Sequence, residues 1–196
     1  MVLLGPPGAG KGTQAARLGR RTGLPVLSTG QVLAEQIAAG TPLGEQARAC
    51  VEHGELVPDE LVIEMVRERL GDWDCADGFV LDGFPRTLAQ AEALDRVLAE
   101  RGERLDVVVE LTIDESEVLA RIRKRARSQH RRDDTEETAR HRMQVFADRS
   151  GPLRDHYRRQ GLLTAVDGSG SRDAVSARVD AALAELTSRP GSDTGR

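Results

Sequence analysis

The sequence Gly5-Pro6-Pro7-Gly8-Ala9-Gly10-Lys11-Gly12-Thr13 follows an apolar run, residues 1–4, and leads into a helix-forming segment that begins at Gln14. A short buried strand, a glycine-rich turn and a helix start therefore occur in the order of a phosphate-binding loop, or P-loop. Glycines let consecutive backbone N–H groups turn inward, and the helix N-terminus adds partial positive charge. Lys11 adds a full charge on the side of the β- and γ-phosphates. The alternative, an ordinary glycine-rich turn, is less favoured because the strand and the helix that flank it both match.

The composition describes one domain of ordinary size with an aliphatic core. The 196 residues are 39% hydrophobic but only 3% aromatic, so the core must consist mainly of Leu, Val, Ala and Ile. The net charge of −4 argues against nucleic acid as the main partner. Cys50 and Cys75 form no CxxC pair, and we expect two reduced thiols in a cytoplasmic protein. No apolar run approaches the ~20 residues of a membrane span, so we expect no membrane association.

The order of the predicted elements is that of an α/β fold. Short apolar runs predict strands at residues 1–4, 26–28, 79–82, 107–113 and 162–166. Helical patterns cover about residues 12–22, 31–39, 43–53, 59–70, 87–101, 115–126, 135–149, 152–160 and 172–187. Strands that alternate with helices imply parallel pairing through right-handed crossovers. The helices between the second and third strands exceed what one crossover needs, which predicts a helical insertion at about residues 30–58.

Two further segments have sequence-level expectations of their own. The third predicted strand ends at Asp82 and continues as Gly83-Phe84-Pro85-Arg86. An acid at the end of such a strand in P-loop enzymes holds the Mg²⁺ of the bound nucleotide, usually through water, although a helix cap is the alternative role. The last segment, residues 188–196, has no apolar periodicity and is predicted to be disordered.

The motifs Gly10-Lys11-Gly12-Thr13 and Asp82-Gly83-Phe84-Pro85-Arg86 together resemble those of the adenylate kinases, a family of nucleoside monophosphate (NMP) kinases. The resemblance covers about residues 1–187 and implies one P-loop kinase domain. Its fold would have three layers, αβα, with a five-stranded parallel sheet in the order 2-3-1-4-5. Residues 30–58 would form the NMP-binding insertion, and residues 126–134 a short lid that contains no cysteine and therefore no zinc site. The Phe84–Pro85 peptide bond is expected to be cis.

The same resemblance implies an activity and a set of site residues. The activity is reversible phosphoryl transfer from ATP to AMP, which gives two ADP. Mg²⁺ would be held at Asp82 through water. The implied ATP-binding residues are Gly8, Ala9, Gly10, Lys11, Gly12, Thr13, Arg121 and Arg125. The implied AMP-binding residues are Thr29, Val57, Gly83, Arg86, Gln90, Arg131 and Arg142. The implied catalytic residues are Lys11, Arg86, Arg125, Arg131 and Arg142, which would neutralise charge on the transferring phosphoryl group.

Thr29 and Gln90 indicate the AMP type of the family, because the related pyrimidine kinases tend to carry Ala and Asn at these places. The basic run at residues 121–132 contains seven Lys or Arg side chains. Without context such a run predicts a nucleic-acid patch or a solvated face. No aromatic residue is interleaved and Asp133-Asp134 follows at once, so the resemblance assigns the run to nucleotide phosphates instead. A monomer is expected, as in most of the family.

Two positions depart from the family pattern on the helix after Thr29. Gln31 replaces an acidic residue, and Ala34 replaces an arginine that normally holds the AMP phosphate. The sequence therefore leaves two alternatives beside the AMP kinase. One is a kinase for another phosphate- or phosphonate-bearing small molecule, and the other is a non-catalytic nucleotide-binding regulator. The presence of Lys11, Asp82 and Arg86 argues against the regulator.

The variant Ala34→Arg is expected to lower the KM for AMP more than it changes the KM for ATP. A guanidinium at this position would add one or two charge-assisted hydrogen bonds to the acceptor phosphate, worth about 1.5–3 kcal/mol. The KM for AMP should therefore fall roughly ten-fold. Steady-state kinetics on both proteins measure this. A parent that already binds AMP tightly, with no gain in the variant, would show that the missing arginine is of no consequence.

Overall fold

The computed structural model describes the backbone of residues 1–52, 57–129 and 136–187, and within these segments all side chains except those of residues 51–52, 124–129, 136–139, 142 and 186–187. Five strands form one parallel sheet: β1 (Val2–Leu4), β2 (Val26–Ser28), β3 (Val80–Asp82), β4 (Val108–Thr112) and β5 (Leu163–Asp167). Their order is β2-β3-β1-β4-β5. Both the predicted order and the predicted parallel pairing are confirmed.

Eight α-helices lie within the described segments, and a short 3₁₀ turn at Trp73–Cys75 precedes β3. The helices are α1 (Lys11–Thr22), α2 (Thr29–Ala39), α3 (Pro42–Glu52), α4 (Asp59–Leu70), α5 (Leu88–Glu100), α6 (Glu115–Gln129), α7 (Glu136–Arg159) and α8 (Arg172–Thr187). None of these helices is both long and apolar enough to cross a membrane.

The two faces of the sheet bury two separate clusters of side chains. Alternate residues of a strand point to opposite faces, so Val2 and Leu4 belong to one cluster and Leu3 to the other. Side chains of α4, α5 and α7 cover the first face, and those of α1 and α8 cover the second. The result is the three-layer αβα architecture, in which both faces of a parallel sheet are covered.

The insertion between β2 and β3 has a small core of its own. Val32 of α2, Ala47 of α3 and Met65 of α4 are buried together, apart from the clusters on the sheet. Val57 packs against the same group from the segment before α4. This separate core makes α2 and α3 a small unit that stands beside the carboxyl edge of the sheet.

The prediction of two helices at residues 135–149 and 152–160 is wrong, because α7 runs unbroken through Pro152. Proline lacks the N–H that would continue the helical ladder, which is why a boundary was expected there. Leu153 and Tyr157 lie just beyond it, are 2% and 0% exposed, and belong to the core on the first face of the sheet. Burial of these two side chains outweighs one lost hydrogen bond.

The helix α6 is longer than the pattern predicted, since it ends at Gln129 rather than at residue 126. The first residues of the predicted lid, 126–129, therefore continue this helix. The rest of that segment, residues 130–134, and the tail at residues 188–196 lie outside the described residues.

The helices α2 and α3 approach so closely at Gly44 that a Cβ atom there would lie 2.0 Å from the carbonyl oxygen of Gln36. We expect Gly44→Ala to destabilise the protein by about 1–3 kcal/mol, because the two helices must move apart to admit a methyl group. Urea denaturation measures the difference. Gly151→Ala is the matched control, since a Cβ there meets nothing within 4 Å. Equal stability of the two variants would contradict the close packing of α2 on α3.

Candidate active site

The loop between β1 and α1 is folded around Lys11. Gly8 and Gly10 have φ angles of 85° and 98°, a region that residues with a Cβ rarely adopt. The ammonium Nζ of Lys11 donates to the carbonyl oxygens of Gly5 at 2.7 Å and Pro6 at 3.0 Å. Its side chain therefore turns back towards the loop.

The N-terminus of α1 presents unused hydrogen-bond donors beside this ammonium. The first hydrogen bond of the helix runs from the N–H of Gln14 to the carbonyl of Gly10, so the N–H groups of Lys11, Gly12 and Thr13 precede the helical ladder. Such groups, together with the positive end of the helix dipole, bind anions. The loop thus offers a site for a phosphate chain.

The carboxylate of Asp82 lies directly against the first turn of α1. In the sheet, Asp82 pairs in register with Leu3 of β1 and Ser28 of β2. A Cβ atom on Gly12 would lie 3.1 Å from Oδ2 of Asp82, which is too close unless the carboxylate shifts. This contact explains why a glycine, rather than a hydroxyl residue, follows Lys11 in this chain.

Three charged side chains influence one another at this edge of the sheet. Loss of hydration lowers the pKa of Lys11 to about 8, an effect that Asp82 opposes and the positive charge of Arg86 reinforces. Loss of hydration likewise raises the pKa of the Asp82 carboxyl, while Lys11 and Arg86 oppose that rise. Lys11 and Asp82 are poorly hydrated, whereas Arg86 beside them is exposed. A bound phosphate would stabilise the charged form of Lys11, and a bound cation would stabilise the charged form of Asp82.

Arg86 and Thr29 meet at one carbonyl oxygen on the neighbouring strand ends. Nε of Arg86 donates to the carbonyl of Gly83 at 2.6 Å, and Oγ1 of Thr29 donates to the same oxygen at 3.2 Å. The peptide bond between Phe84 and Pro85 is cis, as expected. The turn after β3 and the start of α2 are therefore joined beside Lys11 and Asp82.

Gln90 lies on the same side of the site and is almost completely buried, with 4% of its surface exposed. Its Nε2 donates to Oδ1 of Asp59 at 2.6 Å, and its Oε1 accepts from the N–H of Arg86 at 2.7 Å. The sequence singled out Gln90 but did not predict its bond to Asp59, which comes 31 residues earlier in the chain.

Arg121 joins the P-loop to the segment that follows β5. Its guanidinium donates to the carbonyl of Ala9 at 3.3 Å and to those of Gly168 at 2.9 Å and Gly170 at 3.1 Å. Glu117, one turn earlier on α6, accepts from Arg121 at 2.6 Å and from the N–H of Gly170 at 3.2 Å. Sequence reasoning missed Glu117 and this segment. The run Asp167-Gly168-Ser169-Gly170 after a parallel strand was the available signal.

The other predicted arginines contribute less to the described geometry. Arg125 lies on α6 one turn after Arg121, and Arg142 lies on α7, but their side chains are outside the described set. Arg131 lies outside the described residues altogether. On α2, both Gln31 and Ala34 are exposed, and Nε2 of Gln31 donates to Glu35 at 3.2 Å. Position 34 therefore has room for a larger side chain.

Comparisons with known proteins agree with one another. A family model described as adenylate kinase matches residues 3–162. The chain is 51% identical to an adenylate kinase of Thermus thermophilus over 183 residues, which are 93% of this chain and 96% of the relative. It is 49% identical to one of Thermobifida fusca, over 93% of this chain and 97% of the relative. It is 48% identical to one of Clavibacter michiganensis, over 100% of this chain and 98% of the relative.

The depressed pKa of Lys11 has a consequence for stability. The group has a pKa of about 8 in the folded protein against an ordinary value of 10.5. The charged form of Lys11 therefore lowers the free energy of unfolding. This destabilisation is complete at pH values below the pKa of the folded protein. It disappears as the pH rises through the pKa of the unfolded chain. Asp82 would lose a nearby cation if Lys11 were neutral, which offsets part of the gain.

We expect Lys11→Met to raise the free energy of unfolding of the nucleotide-free protein by about 1–3 kcal/mol at pH 7. The advantage should shrink between pH 8 and pH 10.5, the two pKa values of Lys11. Urea denaturation of both proteins at a series of pH values measures it. Arg67→Met, which removes an exposed cation that bonds to Glu100, is the control and should show no such trend. A less stable Lys11→Met protein at pH 7 would contradict the interpretation.

Proposed function

Because the chain belongs to the adenylate kinase family, we propose that Lys11, Asp82 and Arg86 form the centre at which it transfers the γ-phosphoryl group of ATP to AMP. The observation that carries this proposal is the placement of two poorly hydrated charges, Lys11 and Asp82, at the N-terminus of α1 with the exposed Arg86 beside them. An under-solvated cation beside free backbone N–H groups binds a phosphate chain, and a carboxylate beside it suits a metal ion.

The donor site proposed for ATP is the P-loop, with Gly8, Ala9, Gly10, Lys11, Gly12 and Thr13 around the phosphates. On binding, the phosphates would replace the carbonyl oxygens of Gly5 and Pro6 as partners of the Lys11 ammonium. Arg121 supports this site, because its guanidinium bonds to the carbonyl of Ala9. Arg125, one helical turn further along α6, is the proposed second arginine of the donor side.

The acceptor site proposed for AMP lies on the other side of Asp82. Four proposed acceptor residues are linked there by hydrogen bonds. Arg86 and Thr29 both bond to the carbonyl of Gly83, and Gln90 bonds to the backbone N–H of Arg86. Arg86 is exposed and would bind the acceptor phosphate. Gln90 would read the base, and Val57 would provide apolar contact from the insertion. Arg131 and Arg142 complete the proposed set.

The proposed reaction needs no nucleophilic side chain. An oxygen of the AMP phosphate attacks the γ-phosphorus of ATP, and the bond from that phosphorus to the β–γ bridging oxygen breaks, which leaves ADP on both sides. Catalysis comes from alignment of the two substrates and from neutralisation of the equatorial oxygens. Lys11, Arg86, Arg125, Arg131 and Arg142 are the proposed neutralising groups, since planar guanidinium ions match the phosphoryl oxygens.

Asp82 is the proposed ligand of Mg²⁺, bound through water. Within the described residues no three acidic, Cys or His side chains form a cluster that could enclose a metal ion. Mg²⁺ fits this donor set, because it commonly keeps several waters and binds one carboxylate together with substrate phosphates. Burial raises the pKa of the Asp82 carboxyl, and a cation beside it would reverse that effect. When bound, the ion would screen the charge of the β- and γ-phosphates.

We assign residues 1–187 to the kinase domain, residues 30–58 to acceptor binding and residues 126–134 to the lid. Support for a distinct acceptor unit comes from the separate core of Val32, Ala47 and Met65. Closure of such units over the substrates, for which adenylate kinases are a well-known example, excludes water and prevents hydrolysis of ATP. We further propose a cytoplasmic monomer whose partners are nucleotides, consistent with two free thiols, Cys50 and Cys75, and a net charge of −4.

We expect Lys11→Met to lower kcat for the ATP and AMP reaction by roughly 10²–10³-fold, as for loss of one electrostatic stabiliser of the transition state. A coupled assay for ADP measures the rate. Since the same substitution should stabilise the nucleotide-free protein, the loss would not be due to unfolding. Arg67→Met is again the control and should keep the parental rate.

The same assay tests the acceptor. The parent should turn over AMP in preference to pyrimidine monophosphates and to small phosphonates. If a phosphonate or another phosphate-bearing compound is turned over faster than AMP, that compound rather than AMP is the acceptor.

Unchanged turnover by the Lys11→Met variant would show that Lys11 is not in the active site and would contradict the proposed mechanism.

A further inference from the structure

Asp59, the first residue of α4, joins that helix to the first turn of α5. Its Oδ1 accepts from Nε2 of Gln90 at 2.6 Å, and its Oδ2 accepts from Oγ1 of Thr87 at 2.7 Å. Thr87 is the N-cap of α5, and its Oγ1 accepts from the N–H of Gln90. Both oxygens of the Asp59 carboxylate are thus engaged by the segment that follows Arg86.

The partners of Gln90 allow its amide only one orientation. A carboxylate can only accept hydrogen bonds and a backbone N–H can only donate one. The amide nitrogen must therefore face Asp59, and the amide oxygen must face the N–H of Arg86. In the reverse orientation an oxygen would face the carboxylate and an NH₂ group would face an N–H. With only 4% of Gln90 exposed, water cannot compensate for two such mismatches.

This constraint fixes what the amide can still offer to a ligand. The nitrogen carries two hydrogens and the oxygen two lone pairs, and the protein uses one of each. One N–H and one lone pair remain, each in a set place. The adenine edge presents an acceptor at N1 and a donor at its 6-amino group, whereas hypoxanthine presents a donor at N1 and an acceptor at O6. An amide of fixed orientation can match one of these edges and not the other.

We propose that Asp59 is a positioning residue that sets the hydrogen-bond polarity with which Gln90 reads the acceptor base. The proposal rests on the proposed function, in which Gln90 lies in the acceptor site. Asp59 does not contact the base itself; it holds the amide nitrogen in place. Arg86 holds the amide oxygen through its backbone N–H, so the residue that would bind the acceptor phosphate also helps to orient the residue that reads its base.

A purely structural role is the competing explanation, because Asp59 also joins α4 to the N-cap of α5. The two explanations differ in what they change. Loss of a structural tie lowers stability and affects both substrates or neither. Loss of an orienting contact changes discrimination between two acceptor bases and acts only while Gln90 is present.

The experiment measures kcat/KM for AMP and for inosine monophosphate, with saturating ATP, in five proteins. These are the parent, Asp59→Ala, Gln90→Ala, the double variant Asp59→Ala/Gln90→Ala, and Glu60→Ala. Glu60 is the matched control, because it is the next acid on the same turn of α4 and is exposed. Thermal unfolding of each protein separates altered stability from altered recognition. Asp59→Leu, which is of similar size and offers no acceptor oxygen, replaces Asp59→Ala if that variant does not fold.

We expect Asp59→Ala to reduce the preference for AMP over inosine monophosphate by about ten-fold or more, the scale of one mis-set buried hydrogen bond. The KM for ATP should change by less than about two-fold, since the donor site is not involved. In the Gln90→Ala background the Asp59→Ala substitution should have no further effect on the preference. Glu60→Ala should behave as the parent.

Two results would overturn the proposal. An unchanged base preference in Asp59→Ala, with a lowered melting temperature, would leave Asp59 a structural tie only. An equal loss of preference in the presence and absence of Gln90 would show that Asp59 acts by another route. Failure of the underlying function looks different, because Gln90→Ala would then itself leave the base preference unchanged.

Discussion

The candidate active site is organised around one ammonium group that is poorly hydrated at the N-terminus of a helix. Lys11 lies where the loop carbonyls of Gly5 and Pro6, the carboxylate of Asp82 and the N-terminus of α1 meet. Its pKa falls to about 8 because burial disfavours its charge more than Asp82 restores it. A phosphate chain bound beside Lys11 would stabilise the charge that burial disfavours. Sites of this kind give up stability for function.

The parallel sheet is what brings the members of this cluster together. The carboxyl ends of β1, β2 and β3 lie side by side, with Asp82 in register with Leu3 and Ser28. The loop after β1 supplies Lys11, the residue after β2 is Thr29, and the turn after β3 supplies Gly83 and Arg86. Parallel strands place all their carboxyl ends at one edge, where successive loops can share one ligand. Apolar packing on both faces of the sheet supports that edge.

Two polar networks extend outward from the cluster and give its two sides different roles. On one side Arg121 and Glu117 join the P-loop to the segment after β5. On the other side Gln90 and Asp59 join the Arg86 turn to α4 and so to the insertion. Buried polar groups of this kind fix geometry because an unmatched donor or acceptor is costly in a poorly hydrated place.

The sequence by itself determined the features that depend on neighbouring residues. It predicted the ends of all five strands to within one residue, the P-loop around Lys11, and, through family resemblance, the cis bond at Phe84–Pro85 and the sheet order. It failed where distant residues outweigh a local signal. Pro152 predicts a helix end, yet burial of Leu153 and Tyr157 against the sheet carries α7 through it. Only the tertiary structure decided that Asp59 bonds to Gln90 across 31 residues and that Arg121 bonds to Ala9 across 112. Such contacts are set by how helices and strands pack, and no local pattern of residues encodes which side chains that packing will bring together.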